Sequence, residues 1–290
     1  MTPRLTRRRL LLSATGLGVA AVGGLETGIV PGRIRVHTAL GLTGEDGVVP
    51  DVPSGPVVSG SFRSAARRTT VGWSVIYPDG QAPDAKLPVV VMMHGRGGDH
   101  TSAINDLGAD KYLTQAVRSG TPPFALATVD GGRDSYWHHR STGDDAQRMI
   151  TAELLPLLAK RGLRTDRYGV LGWSMGGYGA LLAARDSDGR LVAAAAMSPA
   201  LWSSVDESAP GAFDGADDFA AYQVDGARLR SVALRIDCGR DDPFAGAVRD
   251  LRRDVVAEGG IQAGAHTAGY WRRMLPDQFR FLGTRLGVPG

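Results

Sequence analysis

At 290 residues the chain has room for one large domain or two small ones, and 43% apolar residues allow a sizeable core. Its 22% charged residues are the ordinary share of a soluble globular protein. The formal charge of +3 resides in the N-terminus: residues 1–32 hold Arg4, Arg7, Arg8 and Arg9 against Glu26, and the remainder has 29 basic and 29 acidic residues, so nothing in the composition supports a nucleic-acid partner.

The N-terminus reads as an export signal. "TRRRLLL" (Thr6 to Leu12) precedes an uncharged, Gly- and Ala-rich run from Leu10 to Leu25. A basic region followed by a short apolar one is the pattern of a signal peptide, and the paired arginines resemble a twin-arginine signal. "AVG" (Ala21 to Gly23) is the nearest small-x-small cleavage site, and an uncleaved membrane anchor is the competing reading. The expected partner at this end of the chain is therefore the export machinery, and the expected location is secreted or cell envelope. The single cysteine, Cys238, excludes an intramolecular disulfide and reads as a small core residue at the end of an apolar run.

Residues 33–56 are Gly-, Pro- and Val-rich with little periodicity and read as a linker, leaving 57–290 as the folded domain. "VVSGSFRS" and "TTVGWSVIYP", joined by "AARR", predict a hairpin at a sheet edge. "LPVVVMMHG" (Leu87 to Gly95) is a continuous β-branched run, as in a strand buried on both faces. From there strands alternate with helices. The predicted helices are "ADKYLTQAVRSG", "GDDAQRMITAELLPLLAKRG" (with Asp144 or Asp145 near its start), "MGGYGALLAARD", "PFAGAVRDLRRDVVAEGG" and "GYWRRMLPDQFRFLGTRL". The predicted strands between them are "FALATVDGG", "RYGVLGW", "LVAAAAMSP", "SVALRIDCG" and a short one in "GIQAGAH". The alternation predicts an α/β fold with a mostly parallel central sheet and helices on both faces, which places chemistry beyond the carboxyl ends of the strands.

"GWSMG" (Gly172 to Gly176) sits between a predicted strand and a predicted helix, where G-x-S-x-G forms a nucleophile turn. The sharp turn leaves no room for side chains two positions either side of Ser174, and it aims the Met175 N–H at a developing oxyanion. "GWSVI" (Gly72 to Ile76) shares Gly-Trp-Ser but continues as a strand, so Ser74 reads as structural. A nucleophilic serine needs a base and a group that orients it, in the chain order serine, acid, histidine. Downstream of Ser174 the one histidine is His266. The acid is Asp242 ahead of Asp241, with Asp237 third; Asp242, before Pro243, also suits a helix N-cap. "HGRGG" (His94 to Gly98) offers the second oxyanion donor, the N–H of Arg96 or failing that Gly97, with His94 ordering the loop. "DSYWHH" (Asp134 to His139) offers Tyr136, Trp137 and His138 as pocket lining; its adjacent histidines lack a third ligand at metal spacing. "WSSVDESAPGAFDGADDF" is either a mobile cover over the pocket or a long surface loop.

Five stretches in this order, "HGRGGD", "TAELLP", "GWSMGGYGAL", "IDCGRDDPF" and "HTAGYWRRMLP", resemble the esterase family of α/β-hydrolases that includes S-formylglutathione hydrolases, feruloyl and acetyl esterases and secreted mycolyltransferases. The resemblance covers roughly residues 57 to 286. It implies an α/β-hydrolase fold, hydrolysis of a small-molecule or glycan-linked ester without metal or cofactor, a Ser174–Asp242–His266 triad and oxyanion donors at Met175 and Arg96. Family members often carry Gly-Gly-His at the base, where this chain has "GAH". The resemblance leaves an acyltransferase using an alcohol or sugar acceptor, or a catalytically silent binding protein, as alternatives.

Overall fold

The computed structural model describes residues 37–287, so the expected export signal at 1–32 lies outside the described residues. The described chain falls into two units divided between Gly44 and Glu45. Residues 37–39 are helical and 40–43 form a hydrogen-bonded turn. Part of the expected linker belongs to the larger unit: the Gly47 N–H donates to the Gly269 carbonyl (2.8 Å) and the Tyr112 hydroxyl to the Val48 carbonyl (2.7 Å). The Gly and Pro of 45–56 erase any sequence period, yet backbone groups of Gly47 and Val48 find partners on two helices of the body.

The predicted hairpin is present: β1 (Val57–Ser64) and β2 (Thr69–Ile76) pair antiparallel from Val57↔Ile76 to Ser64↔Thr69. β3 (Pro88–Met93) is buried throughout. Its Val89, Val91 and Met93 face one core and its Val90 and Met92 the other, which is why its apolar run is unbroken. With β4 (Ala125–Val129), β5 (Arg164–Trp173), β6 (Leu191–Met197) and β7 (Ala233–Gly239) it builds a sheet of order β1-β2-β4-β3-β5-β6-β7, parallel from β4 to β7. Two short strands, β8 (Ala257–Glu258) and β9 (Ile261–Gln262), both pair with β7.

Between β3 and β4 come α1 (Ser102–Asn105) and α2 (Ala109–Arg118). The next predicted helix is α3 (Ala146–Met149), a π-helical turn (Ile150–Leu154) and α4 (Leu155–Lys160). Asp145 caps it, accepting the Arg148 N–H at 2.9 Å, while Asp144 pairs with Arg67 instead. Then follow α5 (Met175–Arg185), α6 (Ala216–Ala221), α7 (Ala245–Asp254) and α8 (Ala268–Gly287). Met149, Leu158, Leu181 and Val248 cover one sheet face; Leu113, Leu275, Phe279 and Leu282 cover the other. The two-sided architecture is that of an α/β-hydrolase. Among the described residues no helix is long and apolar enough to cross a membrane.

The short strand expected in "GIQAGAH" is present at Ile261–Gln262. Two local expectations are corrected. The helix expected to run to "VVAEGG" stops at Asp254, because Val255 is extended and Ala257 pairs with Leu234 at the sheet edge. The acidic segment after β6 carries α6 and is fastened to the loop after β4: Asp214 accepts from Arg140 (2.6 Å) and from the Ser141 N–H (2.7 Å).

The strand order places the site. The chain runs from β3 outward to β4, then crosses back to β5 on the other side of β3. The loops leaving β3 and β5 therefore diverge, and a crevice opens above their carboxyl ends.

Candidate active site

Ser174 stands at that crevice, between β5 and α5, with φ 54° and ψ −120°. Few non-glycine residues adopt a positive φ, and the strain persists because the surroundings over-determine it. The Ser174 N–H donates to the Met197 carbonyl (2.9 Å), and its carbonyl accepts from Ala200 and Tyr178 (3.1 Å each). The glycines permit the turn. A Cβ on Gly172 would lie 2.0 Å from the Gly176 carbonyl oxygen, and one on Gly176 would lie 2.0 Å from that of Met93. Met175, with its side chain buried, opens α5, so its N–H sits at the positive end of the helix.

His266 and Asp242 arrive from two loops that are laced together. The Cys238, Arg240 and Asp241 N–H groups donate to the carbonyls of Gly260 (3.0 Å), Gln262 (2.7 Å) and Gly264 (2.9 Å). This ladder carries the chain from β9 to His266 and sets it beside Asp242. Ser174 Oγ donates to His266 Nε2 at 2.9 Å, and His266 Nδ1 donates to Asp242 Oδ2 at 2.8 Å. The other carboxylate oxygen, Asp242 Oδ1, accepts the Phe244 N–H at 2.9 Å, and the side chain has no exposed surface. Asp242 thus holds the histidine and caps the turn into α7 at once.

The competing acids are accounted for. Asp237 is wholly buried and serves Arg235 Nε and Gln278 Nε2, both at 2.7 Å. Burial raises its pKa against the pull of Arg235. Asp241 is buried beside the base loop, but its carboxylate is not the one bonded to His266. Cys238 is buried, and desolvation pushes its thiol well above the ordinary value.

The loop after β3 is organised by His94. Its Nδ1 donates to the Gly95 carbonyl (2.8 Å), and its Nε2 accepts the Gly131 N–H (3.0 Å). Burial pushes its pKa down, which suits a neutral ring donating through one nitrogen and accepting through the other. The Gly95 carbonyl belongs to the same planar peptide as the Arg96 N–H, so His94 fixes the direction of that donor. Gly97 is taken: its N–H donates to the Arg133 carbonyl at 2.7 Å. The Arg96 side chain pairs with Asp134 at the rim.

A cleft of about 620 Å³ surrounds Ser174 and His266. Of the three residues expected to line it, Tyr136 does; Trp137 and His138 do not. Both are fully buried. Trp137 Nε1 donates to the His94 carbonyl (3.2 Å), and His138 Nε2 lies 2.9 Å from the Ala212 carbonyl, so they support the loops beneath the cleft. The reversal has a backbone cause: Tyr136 and Trp137 both adopt positive φ (50° and 59°), which turns the chain between them. The cleft walls that sequence reasoning missed are Trp173, Trp202, Glu207, Phe244 and Trp271. Trp202 was visible as a large aromatic in a polar segment. That segment is a fastened wall of the cleft, with Phe213 packed among Tyr136, His138 and Tyr178. Among the described residues no cluster of His, Cys, Asp or Glu has the arrangement of a metal site.

Residues 64–282 match the model of the Putative esterase family. The chain belongs to this family. As its member the protein is a carboxylic ester hydrolase. No curated protein sequence matches. Among solved structures it is similar to a ferulic acid esterase at 22% identity and TM-score 0.69, covering 80% of this chain and 99% of that one. It is also similar to a Staphylococcus aureus S-formylglutathione hydrolase at 17% identity and TM-score 0.61, covering 79% and 98%. A third is a fluorophosphonate-binding serine hydrolase of the same organism, at 18% identity and TM-score 0.60, covering 80% and 99%. At these identities the likeness carries the fold of the esterase.

Proposed function

We propose that this esterase acts through an acyl-serine intermediate formed on Ser174. The observation that carries the reading is the unbroken chain of hydrogen bonds from Asp242 through His266 to Ser174, at 2.8 and 2.9 Å. Ser174 Oγ attacks the ester carbonyl carbon while His266 Nε2 takes the hydroxyl proton. The carbonyl π pair moves onto oxygen, where the N–H groups of Met175 and Arg96 receive the negative charge. The tetrahedral intermediate collapses, the C–O bond to the alcohol breaks, and His266 returns the proton to the leaving oxygen. Water then gives a proton to His266 as its oxygen bonds to the acyl carbon; the bond from that carbon to Ser174 Oγ breaks, His266 returns the proton to Oγ, and the acid leaves. Asp242 holds the imidazole tautomer and stabilises its charged form through both half-reactions.

The acyl portion we propose is a flat aromatic or short one. Tyr136, Trp173, Trp202, Phe244 and Trp271 line the cleft, and one structural relative is a ferulic acid esterase. A methyl hydroxycinnamate should then be turned over with higher kcat/KM than a long-chain nitrophenyl ester; the reverse order would discard this assignment. The paired arginines near the N-terminus support export, which fractionation of cells producing the full chain would test; protein retained in the cytosol overturns it.

The deciding experiment is labelling with a fluorophosphonate. Wild type should label and Ser174→Ala should not, with esterase turnover falling by about 10⁴-fold or more. A folded wild type that fails to label would return the chain to the silent binding-protein reading.

A further inference from the structure

The hydrogen bonds on His266 define an axis and hold one freedom only softly. Partners at Nδ1 and Nε2 fix the line joining the two nitrogens. The tilt of the ring about that line is opposed only by the broad directional preference of the two bonds, and a tilted ring misdirects its nitrogen lone pair. The imidazole is a quarter exposed (26%), so packing does not enclose it on every side. Its loop, between β9 and α8, has no regular structure.

Two aromatic rings stand against it. Trp271 lies 5.0 Å from the imidazole by ring centroids, at 90°, and Phe244 lies 5.3 Å away at 73°. Both are edge-to-face arrangements at attractive separation. Each ring is tied to another member of the site. Trp271, in the first turn of α8, packs against Trp173, the residue before Ser174 (6.4 Å). Phe244 donates its backbone N–H to Asp242 Oδ1. The indole Nε1–H of Trp271 is buried without a hydrogen-bond partner. A polar group left unpaired is unfavourable, so the breadth of the ring rather than its N–H explains what this side chain does here.

We propose that Trp271, assisted by Phe244, is a positioning residue that sets the tilt of His266. This rests on the reading of His266 as the general base. Near-attack geometry is sensitive to small displacements, so a tilted imidazole lowers the chemical step and leaves substrate binding largely intact.

The test compares Trp271→Leu, Trp271→Phe and Phe244→Leu in the full chain, with thermal melting to confirm folding. Using nitrophenyl acetate, Trp271→Leu should lower kcat about 30-fold with KM within about threefold, and Trp271→Phe should restore kcat to within about threefold of wild type. The second-order rate of fluorophosphonate labelling should fall in parallel with kcat. The downfield proton resonance of His266 Nδ1–H should broaden in the Leu variant and stay sharp in the Phe variant. Phe244→Leu repeats the pattern more weakly and serves if Trp271→Leu does not fold. A Leu variant that loses only in KM, or whose labelling rate and proton resonance match wild type, overturns the proposal and leaves Trp271 as cleft wall. A wild type that neither labels nor turns over ester overturns the esterase mechanism itself, and this inference with it.

Discussion

The tripeptide Gly-Trp-Ser occurs twice, at 72–74 and at 172–174, and the two copies have opposite fates. In the first, Ser74 sits inside β2, buried, facing Ser59 across the hairpin with the hydroxyls 2.8 Å apart. In the second, Ser174 is held at positive φ above the sheet with its hydroxyl on His266. The next two residues of the chain make the difference. Val75 and Ile76 continue a strand, whereas Met175 and Gly176 turn into a helix whose first coil presses on the end of β3. A serine becomes a candidate nucleophile when its neighbours can be dispensed with as side chains, and the second glycine is the residue that permits it.

Substitutions can break that contrast in graded steps. Gly176→Ala should do so most severely. Its Cβ would stand 2.0 Å from the Met93 carbonyl oxygen, so backbone must shift on one side or the other. We expect kcat to fall about 100-fold or more and stability by about 3 kcal/mol, read by turnover and by chemical denaturation. An Ala variant with wild-type kcat would refute the glycine argument.

His94→Gln should act next, through the peptide that carries the Arg96 N–H. A misdirected donor should lower kcat about 10-fold. The same variant has a pH signature. Burial depresses the His94 pKa, so below the unfolded value of about 6.5 the unfolded chain binds a proton that the folded chain refuses. The stability that His94 contributes is therefore present above that pH and lost as pH falls through it toward the depressed folded value. Denaturation curves between pH 8 and 5 should fall more steeply for wild type than for His94→Gln; parallel curves would remove His94 from the account.

The smallest effect belongs to the first copy of the tripeptide. Ser74→Ala loses one hydroxyl pair, and we expect a stability loss of about 1 kcal/mol with turnover within about twofold of wild type. A larger loss of turnover would mean that the hairpin edge and the cleft are coupled.

The sequence by itself determined the central sheet and the sharp turn at Ser174, for a local reason. A strand buried on both faces is an unbroken β-branched run, and the turn needs glycine at fixed offsets, so both are written in adjacent residues. It ranked Asp242 over Asp241, but the order serine, acid, base admits both, and the bond from His266 Nδ1 to Asp242 Oδ2 is what separates them. Tertiary structure alone decided what reaches the cleft. Tyr136 lines it while Trp137 and His138 turn inward, because two consecutive positive-φ residues reverse the chain, and no residue type announces that. Trp202, Phe244 and Trp271 come to the site from three separate segments, brought together only when helices pack on both faces of the sheet. The end of α7 was also beyond the sequence, since Val255 leaves the helix where the open edge of β7 offers pairing to Ala257 and Glu258. Local chemistry is legible in order along the chain; proximity between distant segments is a property of the packed sheet.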